Sequence, residues 1–187
     1  SWTHDGLSRS LEESITLGGG AYKKRTWAYD KNDRMTSHKD DGNNETTWAW
    51  NARDLVTTET YPDTGTKVFE YDGADNVTKW TDPMGTVVTL TYDDNNRNTV
   101  RAISRATGVG GTLDEDYVYD ALDRMTEGQD DDVTVQLTWD SLSRKKSEKS
   151  GPNPMSTSGK TTSYAYDDAG NVTQIDYPDG SFYVTRT

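Results

Sequence analysis

The chain has 187 residues, no cysteine and a formal net charge of −12. Leu, Ile, Val and Phe together supply 26 residues, about 14%, a share that with this charge would ordinarily mark disorder. The acidity argues against a nucleic-acid partner, which needs clustered Lys and Arg, and no apolar run approaches the roughly 20 residues that span a bilayer.

Against disorder stand 19 aromatic residues, mostly Tyr and Trp, set at regular positions. Each can bury roughly 150–250 Å², so the composition implies a folded chain with a thin Tyr/Trp core. The absence of cysteine removes disulfides and thiolate metal sites, and fits either redox compartment. The opening Ser1-Trp2-Thr3-His4-Asp5 carries neither the basic nor the apolar region of a signal peptide.

Taken in order, the chain opens on a degenerate copy of a repeat. Trp2-Thr3-His4-Asp5-Gly6-Leu7-Ser8-Arg9 lies over Leu137-Thr138-Trp139-Asp140-Ser141-Leu142-Ser143-Arg144, and the copy leads into Gly18-Gly19-Gly20, expected as a flexible loop. Leu11-Glu12-Glu13-Ser14-Ile15 is too short for a helix. The remaining copies centre on Asp30, Asn51, Asp72, Asp93, Asp120, Asp140 and Asp167, at spacings of 21, 21, 21, 27, 20 and 27 residues. A fixed period of this kind marks a repeat architecture.

Within a copy, apolar or aromatic residues stand three and one before the central residue, as in Trp27/Tyr29, Trp48/Trp50, Phe69/Tyr71 and Tyr164/Tyr166. Small or polar neighbours separate them, which is a strand with one apolar face. Four turn residues follow, of which the fourth is Ser, Asp, Asn or Gly, types that tolerate a left-handed backbone. A second run rich in Thr and Val comes next, then a second turn such as Asp40-Asp41-Gly42, Pro62-Asp63-Thr64-Gly65, Asp82-Pro83-Met84-Gly85 or Tyr177-Pro178-Asp179-Gly180. In these second turns Pro is expected to pre-set one dihedral and Gly to accept the positive one. Each copy is then one β-hairpin. The two 27-residue spacings insert loop material, Thr107 to Gly111 and Ser150 to Met155, into the second turn. The fold class is all-β: an antiparallel ribbon of consecutive hairpins, a single array of about eight repeats over residues 1–187.

The run from Tyr164-Ala165-Tyr166-Asp167 through Gly170-Asn171-Val172-Thr173, with Tyr177-Pro178-Asp179-Gly180 after it, closely resembles the YD repeat of Rhs proteins. Related repeats occur in toxin-complex shell subunits, wall-associated toxins and teneurins. The resemblance implies a segment of a spiralling β-shell, whose partners are the rest of the parent chain and an encapsulated C-terminal toxin, secreted or at the bacterial cell surface. Family shells hold many more repeats than eight, so the chain reads as an excised piece. Several copies carry Asp33, Asp54, Asp75 or Asp123 where the family has Gly. The self-cleavage motif that precedes the toxin in resembling proteins is absent, so no catalytic property carries over.

The residues that carry the repeat are assigned structural roles: Tyr29 and Asp30, Trp50 and Asn51, Tyr71 and Asp72, Tyr92 and Asp93, Tyr119 and Asp120, Trp139 and Asp140, Tyr166 and Asp167, and Gly170. A catalytic carboxylate pair is unique, whereas these recur. Asx turns explain them through backbone N–H bonds to the side chain. No cofactor is expected. Asp93-Asp94-Asn95-Asn96, Asp114-Glu115-Asp116 and Asp130-Asp131-Asp132 are oxygen-rich, but none has calcium-loop spacing. His4 and His38 lack spaced partners, no G-x-S-x-G elbow occurs, and Arg144-Lys145-Lys146 reads as a solvated strand face. The expected function is a non-catalytic segment of a toxin-enclosing shell. The alternative is an extracellular adhesion or glycan-binding module, with Trp80 as the glycan contact. Open strand edges are expected to promote edge-to-edge self-association.

Overall fold

The computed structural model of the protein describes residues 1–17, 22–154, 159–178, 180 and 183–185. Gly18-Gly19-Gly20, Met155 and Asp179 lie outside the described residues. The chain forms two compact units, Ser1–Val88 and Thr89–Thr187. The first holds β1 (Trp2–His4), β2 (Ser10–Thr16), β3 (Tyr22–Tyr29), β4 (Met35–Lys39), β5 (Glu45–Trp50), β6 (Val56–Thr60), β7 (Thr66–Tyr71) and β8 (Val77–Thr81). β9 (Val87–Tyr92) begins where the first ends along the chain. The second unit continues with β10 (Asn98–Ser104), β11 (Asp114–Tyr119), β12 (Met125–Asp130), β13 (Val133–Trp139), β14 (Lys145–Pro152), β15 (Lys160–Tyr166), β16 (Val172–Asp176) and β17 (Tyr183–Thr185).

In each unit a strand pairs antiparallel with the next one along the chain, from β1–β2 to β7–β8 and from β10–β11 to β16–β17. The repeat therefore maps onto hairpins β3–β4, β5–β6, β7–β8, β11–β12, β13–β14 and β15–β16. Each closes through a three-residue loop whose last residue is left-handed. In β5–β6, the Asn51 N–H donates to Leu55 C=O at 2.9 Å and the Asp54 N–H to Asn51 C=O at 3.3 Å. A type I turn followed by a left-handed residue gives this pattern, and its twist suits a hairpin.

One extra residue sits just beyond the turn. Trp50 faces Val56 and Ala49 faces Thr58, so Thr57 is left over as a bulge. The same shift recurs before Tyr29, Tyr71, Tyr119, Trp139 and Tyr166. A bulged residue leaves the ladder incomplete, and threonine repairs it locally. The hydroxyls of Thr57, Thr99 and Thr126 donate to the carbonyls of Ala49, Thr91 and Val118 at 3.2–3.3 Å. This accounts for the Thr that recurs in the motif.

The aromatic strands alternate over their last three residues. Ala28, Ala49, Glu70, Thr91, Val118, Thr138 and Ala165 are exposed, while their neighbours on the aromatic face are half-buried. Within each unit the extended contacts run between strands adjacent in sequence, so each is one layer. Among the described residues Val88 is the one buried hydrophobic side chain, at 1% exposure, and Thr86 and Thr134 are the buried polar ones. With one layer per unit, the aromatic face stays half-buried rather than closed against a second layer.

Three local expectations need correction. In the second turns Gly85 (87°) and Gly180 (64°) carry the positive φ as expected, but in the other two it falls on Asn43 (65°) and Thr64 (69°), and neither Gly42 nor Gly65 adopts one. The Asp40, Tyr61 and Asp82 turns repeat the three-residue loop of the first, which needs its left-handed residue third. Gly65 is required by space, since a Cβ would lie 2.9 Å from Pro83 Cβ, whereas at Gly42 the atom 2.9 Å away is Asn44 Nδ2, the end of a side chain that can shift. Second, Ser150 to Pro152 are not loop but the end of β14, where Pro152 faces Val133. The β14–β15 ladder ends at Ser150, so Pro152 has no donor to supply on that side. Third, of Arg144, Lys145 and Lys146 only Lys146 is exposed, because the other two lie on aromatic rings.

Candidate functional site

The chemistry of the chain is concentrated in the turn that follows each aromatic strand. Asp30 Oδ1 accepts the N–H of Asn32 at 2.8 Å and of Arg34 at 3.1 Å. Its other oxygen takes Arg34 Nε at 2.7 Å and Nη2 at 2.6 Å. Asp5, Asp93, Asp120 and Asp140 make the same set with Arg9, Arg97, Arg124 and Arg144. At Asp72 and Asp167 an Asn four residues on replaces the Arg, donating from Nδ2 at 2.9 Å. The side-chain bond from Arg34, Arg97 or Arg124 holds Asp30, Asp93 and Asp120 below the ordinary carboxylate value, and the bonds from Asn76 and Asn171 do so for Asp72 and Asp167. The Arg144 backbone N–H leads the same shift at Asp140.

The arginine does more than close its own turn. Arg34 Nη1 reaches the next copy, donating to Asn51 C=O and to Asp54 Oδ1, both at 2.8 Å. Arg9 clasps Asp30 C=O and Asp33, and Arg97 clasps Asp120 C=O and Asp123. Arg124 holds Asp140 C=O and Ser143 Oγ, and Arg144 holds Asp167 C=O. Each guanidinium thus joins two successive turns. On the way it lies over the aromatic ring of the next copy, 4.8 Å from Tyr29, 5.7 Å from Trp50, 5.0 Å from Tyr119, 5.9 Å from Trp139 and 4.6 Å from Tyr166. A planar, permanently charged fork suits this double duty, and lysine does not.

The same ring also ties backward. Trp50 Nε1 donates to Met35 C=O at 2.8 Å, Tyr71 OH to Val56 C=O at 2.6 Å, and Tyr119 OH to Asn98 C=O at 2.9 Å. Trp139 and Tyr166 reach Met125 and Lys145 C=O at 2.8 Å. The acceptor is always the carbonyl five residues after the previous central residue. The motif therefore requires Tyr or Trp, since phenylalanine has no polar tip.

Two irregularities become intelligible. All four aspartates that replace the family's Gly, Asp33, Asp54, Asp75 and Asp123, receive an arginine from the copy before. They hold φ of 60–68°, a conformation that glycine adopts more cheaply, and each gains an ion pair that glycine would lack. Gly170 follows Arg144, which takes only the carbonyl. The second irregularity is Asn51, whose neutral amide has no charge for an arginine four residues on. Leu55 stands there, and Arg53 makes the reach instead, to Asp72 C=O at 2.8 Å and to Asp75.

The residues singled out in the sequence are thus brought together pairwise, ring of one copy against turn of the last. What sequence reasoning missed is the reach of the arginine. Its signal was present: each of the four unexpected aspartates stands one copy after an arginine. Trp80 lies on β8 opposite Phe69, with Lys67 Nζ 4.6 Å from its ring centre. His38 packs against Trp27, which stacks on Trp2 at 5.8 Å. Among the described residues no three His, Asp or Glu side chains converge as a metal site requires.

The family model described as RHS Repeat matches residues 29–66, 71–109 and 155–181, more than half of the chain. No curated protein matches the sequence. Among solved structures, a Tc holotoxin pore from Photorhabdus luminescens is 16% identical with a TM-score of 0.69, over 88% of this chain and 9% of that one. A TcdB2–TccC3–Cdc42 structure is 14% identical with a TM-score of 0.75, over 98% of this chain and 11% of that one. A TcdB2–TccC3 structure gives 13% and 0.74, over 98% and 12%. The chain spans about a tenth of the length of these chains, and what it shares with them is the fold. With a hairpin per period, an Asp or, once, an Asn in the turn after each aromatic strand, and the family model matched over more than half its length, the chain belongs to the Rhs (YD) repeat family.

Proposed function

We propose that the chain is a non-catalytic wall segment of an Rhs-repeat shell, a single array along residues 1–187 that helps to enclose a C-terminal toxin for secretion or delivery. The observation that carries the reading is the joint between copies. The repeated carboxylates are occupied by turn amides and by an Arg or Asn of their own copy, so their chemistry serves architecture. Central residues Asp30, Asp120 and Asp140 also offer their backbone carbonyls to the previous arginine. The likeness to Tc chains supports the reading, as does the description of one of them as lacking a hypervariable C-terminal region. A constant wall followed by a variable segment is the arrangement that enclosure needs. The partners are then the remainder of the parent chain and its cargo, and the setting is secreted or at the cell surface.

Limited proteolysis with mass spectrometry on the parent chain tests this. A C-terminal segment that survives inside a resistant repeat core, and is released only on unfolding, is the expected result. A C-terminus cut freely while the repeats persist would contradict enclosure. Oligosaccharide binding that disappears in Trp80→Ala would shift the balance to the adhesion reading.

A further inference from the structure

The aromatic or apolar residue three before each central residue normally has a side chain facing it across the hairpin. Trp27 faces His38, Trp48 faces Glu59, Phe69 faces Trp80, Leu137 faces Glu148 and Tyr164 faces Ile175. Tyr117 faces Gly128. A Cβ at Gly128 would meet Met125 Sδ at 3.5 Å and the Tyr117 ring at 3.6 Å, ordinary contacts, so the backbone does not demand glycine there. Gly128 has no positive φ either. Its effect is to leave a groove of about 340 Å³ over the ring, with Met125, Val133 and Val135 as apolar walls and Glu115 and Asp130 at the rim.

The chain itself indicates what such a ring accepts. Lys67 Nζ lies 5.1 Å from the Phe69 ring centre and 4.6 Å from that of Trp80, and Lys145 Nζ lies 4.8 Å from Tyr164. In both units such rings seat an ammonium, drawn by the ring quadrupole. The surroundings of Tyr117 have the matching sign. Glu115 binds Tyr117 OH at 2.6 Å and Arg101 at 2.9 Å. Asp130 accepts the N–H of Asp132 at 2.9 Å and of Val133, and Asp131 and Asp132 follow it in the β12–β13 turn. Arg101 pairs with Glu115, Asp130 adds a second carboxylate to the groove lining, and the net charge of −12 favours a basic partner at long range.

We propose that the groove over Tyr117 seats a lysine or arginine side chain of a basic polypeptide segment, with the ring as its floor, the Val133 and Val135 walls along its methylenes, and Asp130 and Glu115 against its charge. The inference stands apart from the enclosure reading, since it holds for cargo, parent chain or an outside partner.

Hexalysine is the probe, titrated into the chain by calorimetry and by NMR of the Tyr117 ring and neighbouring amides. Saturable shifts at Tyr117 are expected with hexalysine and not with its fully acetylated form. Gly128→Ile copies Ile175 opposite Tyr164, so it fills the groove while improving strand propensity. Its affinity for hexalysine should fall about five-fold or more, within the range of a desolvated cation–ring contact, with thermal stability kept or raised. Tyr117→Phe should retain binding and Tyr117→Leu lose it. Unchanged affinity in Gly128→Ile would overturn the proposal, because general attraction to an acidic protein would then account for the binding. So would an oligosaccharide that moves the Tyr117 signals when hexalysine does not.

Discussion

At the scale of the residue, the repeat motif resolves into separate physical demands. The aromatic must have a polar tip because it donates to a carbonyl of the previous copy. Tyr71→Phe keeps the ring and removes one bond, so it should cost about 1 kcal/mol in a urea titration; a neutral result would mean that Tyr71 OH and Val56 C=O are satisfied equally well by water. The third loop residue must be left-handed. Ser143→Gly relieves that strain and gives up only a 3.2 Å contact from Arg124, so a gain of up to about 1 kcal/mol is expected. Asp123→Gly relieves the same strain but surrenders Arg97, and its gain should be smaller or absent. A larger gain at Asp123 than at Ser143 would contradict the role given to the inter-copy ion pair.

At the scale of the element, the hairpin is held at its turn and at its bulge. Thr126→Val preserves shape and strand propensity while removing the hydroxyl that serves Val118 C=O, and should destabilise by about 0.5–1 kcal/mol. The turn carboxylates make stability depend on acid. Their native pKa values lie below the unfolded value near 3.8, so their contribution is complete above that value and is lost as pH falls through the native ones. Asp120→Asn should therefore be clearly less stable than the parent at pH 7, with the difference shrinking below about pH 3.8. A difference that is the same at both pH values would exclude the charged clasp. Much of this element was legible in the sequence. The alternation Trp48-Ala49-Trp50 fixed the strand face, and the Ser, Asp, Asn or Gly at the fourth turn position fixed the left-handed residue. Two of the second turns were misread because Gly42 and Gly65 look like dihedral requirements, whereas Asn43 and Thr64 carry the positive φ and Gly65 serves close approach to Pro83.

At the scale of the whole molecule, each unit relies on half-buried rings lying under the guanidinium groups of the preceding copy, which explains how a chain so poor in aliphatic residues folds. Sequence spacing places Arg34 four residues after Asp30, but it does not reveal that the guanidinium spans to Asn51 and Asp54. That contact belongs to the stacking of hairpins, which local pattern does not encode. A single layer also presents strand edges, so the isolated chain should associate edge to edge, and light scattering that shows a stable monomer would count against it. The central claim is that each arginine couples one turn to the next. Residue-resolved amide hydrogen exchange on Arg34→Ala tests it most directly. Faster exchange is expected at the Asp33 amide of its own turn and equally at Asp54, whose N–H bonds to the Asn51 carbonyl that Arg34 holds. Exchange that rises at Asp33 and leaves Asp54 at its parent rate would contradict the account, and the copies would then be neighbours without a clasp.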